Sequence, residues 1–154
     1  MGRPDKVGRV LLDASALIGV IKGEPDFAPL KTLLDAVDRG EVTLVESTAM
    51  LAEVQPEHPR DSGLHALARD TVRTMLESAA TELVDVNTVV ARKAGELRVK
   101  HGMTSWDAVH LATAILARVD VLVVRDHKFP EGDYEGVYVT GPFDIDDDKL
   151  SFSP

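Results

Sequence analysis

The stretch Val10-Leu11-Leu12-Asp13-Ala14-Ser15-Ala16-Leu17-Ile18 places an acid at the end of one short apolar run and opens a second run directly behind it. Residues 9–12 read as a short buried strand, because an unbroken apolar run of this length suits a strand covered on both faces. Residues 15–22 read as a helix that Gly23 closes. Asp13 stands between the two. A charge so placed needs a partner, and no fixed cation is adjacent to it in sequence. A bound metal ion is therefore a serious candidate.

The same pattern continues along the chain. Residues 27–39 have Leu30, Leu33, Leu34 and Val37 at helical spacing, with Gly40 just past the end. Residues 42–45 predict a second strand. Ser47 or Thr48 caps a helix carrying Met50, Leu51 and Val54 toward Pro56. Residues 56–63 read as a loop and 64–80 as an amphipathic helix. Residues 83–86 predict a third strand. Asn87 caps a helix with Val90, Ala94, Leu97 and Val99, ending at Gly102. Thr104 or Ser105 caps another, with Ala108, Leu111, Ala112 and Ile115 facing the core. Residues 119–124 form an apolar strand ending near Asp126, and 137–140 a last short one. Short apolar strands alternating with helices predict an α/β domain on a mainly parallel sheet.

In such a sheet, ligands gather beyond the carboxyl ends of the strands. Asp13 and Asp126 both follow strands. The second acid-bearing segment, Thr104-Ser105-Trp106-Asp107-Ala108-Val109-His110-Leu111-Ala112, puts Asp107 in the first turn of a helix, where the dipole also favours an acid. Glu53 sits six residues beyond the Ser47 cap, and Glu46, at a strand end, is its rival. Oxygen ligands without a cysteine or histidine pattern suit magnesium or manganese. Ser15 reads either as a helix cap or as a contact orienting Asp13 or a bound water. His110 shares a helix face with Asp107 and reads as a core residue or one acting through a neighbour. His127 is a weaker candidate for substrate contact. Trp106 reads as a packing residue rather than a stacking platform.

Composition narrows the class. The 154 residues are 44% apolar and 28% charged, enough for one ordinary domain with a real core. The absence of cysteine removes disulfides, zinc–thiolate sites and thiol nucleophiles. The net charge of −9 argues against broad binding to nucleic-acid phosphates. It leaves room for a site whose clustered acids a divalent ion neutralises. Residues 142–154 read as an acidic, frayed tail to a domain over 1–141. No signal-like or membrane-length apolar run is evident, and a cytoplasmic protein is expected.

Taken together, these segments resemble the PIN-domain family, and within it the VapC-like toxin ribonucleases. Leu11-Leu12-Asp13-Ala14-Ser15 resembles the first motif, an Asp with a hydroxyl two residues on. Residues 47–54, with Glu53 near the end, resemble the second. Trp106-Asp107-Ala108-Val109-His110-Leu111-Ala112 resembles the third, and Asp126-His127-Lys128-Phe129 the fourth. The resemblance covers residues 9 to about 140 in order and spacing. It implies a three-layer α/β/α domain. It implies a metal-dependent endoribonuclease with Asp13, Glu53, Asp107 and Asp126 as catalytic and metal-binding acids, Ser15 beside them, and Mg2+ or Mn2+ as cofactor. It further implies an RNA substrate, a cognate antitoxin protein and a homodimer. Water would attack phosphorus in line and leave 5′-phosphate and 3′-hydroxyl ends. One departure stands out: where the family has Thr or Ser two residues before the fourth Asp, this chain has Val124. That departure motivates the alternative of a PIN-like binding or regulatory module. A phosphatase with Asp13 as covalent nucleophile is disfavoured, because such enzymes carry a second Asp where Ser15 stands.

Overall fold

Strand β1 (Arg9–Leu12) lies inside a six-stranded sheet, between β2 (Thr43–Ser47) and β4 (Val121–Val123). The full order is β3-β2-β1-β4-β6-β5, with β3 at Thr81–Val84, β5 at Gly132–Tyr134 and β6 at Val137–Thr140. All neighbouring pairs are parallel except β5 with β6. The structure, a computed structural model, describes residues 2–54, 63–125 and 129–146. Residues 56–62 of the loop expected over 56–63, Asp126, His127 and the tail beyond residue 146 lie outside the described residues, while Gly63 opens a helix instead of closing that loop.

Alternation along the strands builds the three layers. Val10 and Leu12 of β1, Leu44 of β2, and Val121 and Val123 of β4 pack in one core. It is completed by Ala16 and Leu17 of α1 (Ala14–Lys22), Leu33 and Val37 of α2 (Lys31–Asp38), and Val72 and Leu76 of α4 (Gly63–Leu76). Leu11, Val45 and Leu122 point the other way. They meet Val90, Ala94 and Leu97 of α5 (Thr88–His101) and Ala108, Leu111 and Ala112 of α6 (Ser105–Leu116). A short helix, α3 (Ala49–Glu53), follows β2.

Several elements differ from expectation. The helix expected over 27–39 starts as a 3-10 turn at Pro25–Leu30 and becomes α2 only at Lys31, because Pro29 has no N–H for an α-helical bond. The third strand lies two residues earlier than expected, and α4 ends at Leu76 rather than residue 80. Strand β5 was not foreseen. It joins β6 through Glu135 and Gly136, both at positive φ (54° and 93°), the signature of a two-residue hairpin turn. The start of the expected tail is anchored rather than frayed. Phe143 is buried in the first core, the Arg3 guanidinium lies 4.1 Å from its ring centre, and Thr32 Oγ1 donates to Asp144 Oδ1 at 2.9 Å.

Candidate metal centre

The connection order switches direction at β1. The chain leaves it toward β2 and β3 on one side, and returns to its other side as β4. A crevice opens beyond the carboxyl ends of strands at such a switch. Asp13 sits there, its N–H bonded to Val123 O of β4 at 2.9 Å. Its backbone is extended, and its carboxylate turns back to cap α1, with Oδ1 accepting from Ala16 N–H at 2.8 Å. Oδ2 accepts from Arg125 N–H at 3.3 Å. Asp13 is thus the helix cap, and Ser15, exposed two residues on, is free of that task.

Three of the predicted acids line one cleft of about 240 Å³: Asp13, Glu53 and Asp107. Ser15, Thr104, His110 and Arg125 line it too. Asp107 is delivered by the first turn of α6, where Thr104 Oγ1 accepts its N–H at 3.2 Å. Glu53 ends α3 and bonds through Oε1 to His110 Nε2 of α6. His110 is buried, and its Nδ1 has no hydrogen-bond partner among the described residues. Its Nε2 ties Glu53 to α6 at the wall of the cleft that both residues line.

Glu46, the rival to Glu53, occupies a different place. It is fully buried in β2, with Oε1 accepting from Leu12 N–H at 3.1 Å. Its Oε2 has no partner among the described residues. Burial drives its carboxyl well above the usual carboxylate range, and the Leu12 N–H only partly opposes this; Asp13 and Glu53 add repulsion. Burial also raises Asp13, against the N–H groups of Ala16 and Arg125 and the charge of His110. Crowded carboxylates that resist ionisation together are what a divalent cation relieves. Among the described residues no three acid or histidine side chains already converge as a ligand group. The donor set nevertheless fits a hard cation: all-oxygen carboxylates on one cleft, backed by a buried oxygen without a partner.

Arg125 had no signal in the sequence beyond following β4. Its contribution to Asp13 is a main-chain N–H, which any residue type supplies. Its side chain is half exposed, 3.6 Å from Glu24 Oε2 and 5.3 Å over the Phe27 ring. Val124, where the family carries a hydroxyl, is buried, and its N–H donates to Thr140 O at 3.0 Å.

The arrangement defines an α/β protein with an acidic cleft at the carboxyl edge of a mainly parallel sheet. Residues 10–133 match the family model of the PIN domain, and the chain belongs to that family, whose members are nucleases. Among solved structures it is similar to a toxin–antitoxin complex from Klebsiella pneumoniae, at 21% identity and TM-score 0.61, over 88% of this chain and 98% of that one. It is similar also to VapBC2 from Rickettsia felis bound to a DNA fragment from their promoter, at 18% identity and TM-score 0.61, over 86% and 98%. A third likeness is to DNA-bound VapBC from Salmonella typhimurium, at 18% identity and TM-score 0.58, over 87% and 98%. No curated protein matches the chain.

Proposed function

We propose that this protein is a metal-dependent endoribonuclease, the toxin of a toxin–antitoxin pair. The observation that carries the reading is the meeting of Asp13, Glu53 and Asp107 on one cleft in a PIN-family chain. Asp126, which lies outside the described residues, is assigned as the fourth acid from its place in the fourth motif. Asp13, Glu53 and Asp107 would hold a magnesium or manganese ion, which when bound would supply Lewis acidity toward a phosphate oxygen and lower the pKa of water.

The surrounding residues position the reaction. His110 holds Glu53 toward the cleft. Thr104 fixes the start of α6, and the positive end of that helix favours an anionic phosphate. Arg125 adds a cationic side chain at the rim. Ser15 offers an exposed hydroxyl to Asp13 or to water. The attacking water oxygen joins phosphorus as the bond to the 3′ oxygen breaks, so the products carry 5′-phosphate and 3′-hydroxyl ends. No 2′-hydroxyl is consumed, and selectivity for RNA must come from binding.

The toxin assignment is supported by the fold shared with toxin–antitoxin complexes. A basic antitoxin segment is the complement of this cleft, and a homodimer is the proposed assembly. Among the described residues no helix is long and apolar enough to cross a membrane, and the proposed compartment is the cytoplasm. Val124 favours a second reading, a PIN-like binding or regulatory module.

Cleavage of end-labelled RNA by purified protein with manganese, magnesium or EDTA decides between them. Metal-dependent cutting, lost in Asp13→Asn and Asp107→Asn, is the expected result. Absence of cutting by folded, antitoxin-free protein across several RNA classes would favour the binding module.

A further inference from the structure

The acidic cleft continues into a second groove of about 360 Å³, and Ser15, Glu53 and Arg125 line both. The groove's other walls include Trp106, Ile18 and His65. Trp106 is 50% exposed and belongs to neither core cluster. The packing role expected for it is therefore not the one it has. It directly precedes Asp107 in the capped first turn of α6, and it lines the second groove together with Ser15, Glu53 and Arg125, which also line the acidic cleft.

We propose that Trp106 is a stacking platform for the nucleobase next to the bond being cleaved. The proposal rests on the nuclease reading and names how its substrate is held. A nucleotide is charged at its phosphate and flat and largely apolar at its base. The two joined hollows have the matching order: acids and the α6 terminus in one, an exposed indole in the next. Sites for single strands combine a cationic track with aromatic faces, and stacking tolerates any base because every base has a π face. Arg125 serves both hollows, and Glu24 on the groove wall pairs with it at 3.6 Å and with Lys22 at 3.4 Å, so the exposed indole, and not net positive charge, is what suits this groove to a base. A protein segment is the poorer occupant, since Trp106 and Ile18 are the only large apolar side chains that line it among the described residues.

The test uses a gift of composition: Trp106 is the only tryptophan, so intrinsic emission reports this ring alone. Asp13→Asn protein with manganese would be titrated with short single-stranded RNA, and affinities measured separately with fluorescein-labelled RNA. Quenching of the emission is expected. Trp106→Leu should bind about 10-fold or more weakly, whereas Trp106→Phe, which keeps a π face, should retain most of the affinity. An oligonucleotide with one abasic position should lose affinity for the Asp13→Asn protein and not for its Trp106→Leu derivative. RNA that binds without quenching, or equally to the Leu variant, would overturn the platform. Quenching by a basic peptide and not by RNA would overturn it in favour of a protein partner. Wild-type cleavage run in parallel separates the two ideas: cutting with an unchanged KM in Trp106→Leu defeats only the platform, while no cutting at all defeats the nuclease.

Discussion

His110 Nε2 and Glu53 Oε1 are hydrogen-bonded across two helices, joining the middle of α6 to the end of α3. The contact links residues 57 apart in sequence and fixes an acid at the edge of the cleft. Partners that orient a ligand commonly matter to metal affinity by about 10- to 100-fold. His110→Ala should therefore weaken manganese binding by roughly 10-fold or more. Calorimetric titration of the folded variant measures it. His110→Gln, which keeps a donor, should recover part of the loss; unchanged affinity in His110→Ala would detach Glu53 from the metal.

Asp13 serves the fold as well as the cleft, and two substitutions separate these tasks. Asparagine keeps an acceptor for the Ala16 N–H and is as good a cap as aspartate. Asp13→Asn should fold normally and cut no RNA. Asp13→Ala leaves the start of α1 uncapped, which costs about 1 kcal/mol, offset in part because a desolvated carboxylate is removed as well. Thermal melts beside cleavage assays check the pair. Equal inactivity with unequal melting temperature is the expected outcome.

Much of this was legible before the fold was known, for reasons particular residues make clear. Leu11 and Leu122 are apolar between apolar neighbours because both faces of β1 and β4 are covered, and that produced the parallel-sheet reading. Asp13 and Asp107 showed themselves as acids at element boundaries. Strand β5 was hidden because its turn uses Glu135 at positive φ, where asparagine or aspartate would have marked it. Pro29 split a helix whose periodicity was otherwise sound. The link from His110 to Glu53 and the N–H of Arg125 were invisible, since one is a tertiary contact and the other carries no side-chain signature. Trp106 was misread because exposure depends on what packs above a helix start, which its own sequence does not state.

Glu46 predicts a dependence on pH. Its folded carboxyl holds its proton well above the ordinary range, with burial the main cause. The unfolded chain loses that proton near the ordinary value of about 4.3, so folding takes up a proton above it. Stability from this group therefore falls as pH rises, by up to about 1.4 kcal/mol per unit until the folded group ionises. Below the unfolded value the penalty vanishes. Glu46→Gln removes it while keeping an acceptor for Leu12 N–H. Without added metal, the variant should gain stability over the wild type at about pH 8 and lose that advantage near about pH 4. Urea melts across pH measure the gap, and a gap that does not widen with pH would contradict the assignment.

Gly19 and Phe27 predict a coupling between the helix layer and the cleft. A Cβ on Gly19 would lie 2.3 Å from Phe27 Cδ2 and 2.9 Å from Cγ, so the ring must move. Phe27 is buried, with the Arg125 guanidinium 5.3 Å over its ring, while the Arg125 N–H holds Asp13. Overpacking of this kind costs about 1–3 kcal/mol. Gly19→Ala should lower the melting temperature by several degrees, roughly 2–4 °C per kcal/mol in a chain of this size. It should also raise KM for RNA, because the side chain of Arg125 loses the ring it rests on. Gly95→Ala in α5 is the control. A Cβ there meets nothing within 4 Å, and replacing a helical glycine should add about 0.4–1 kcal/mol. If Gly19→Ala melts lower yet cuts RNA with an unchanged KM, the Arg125 side chain is not part of the RNA-binding rim, and its role ends with the main-chain bond to Asp13.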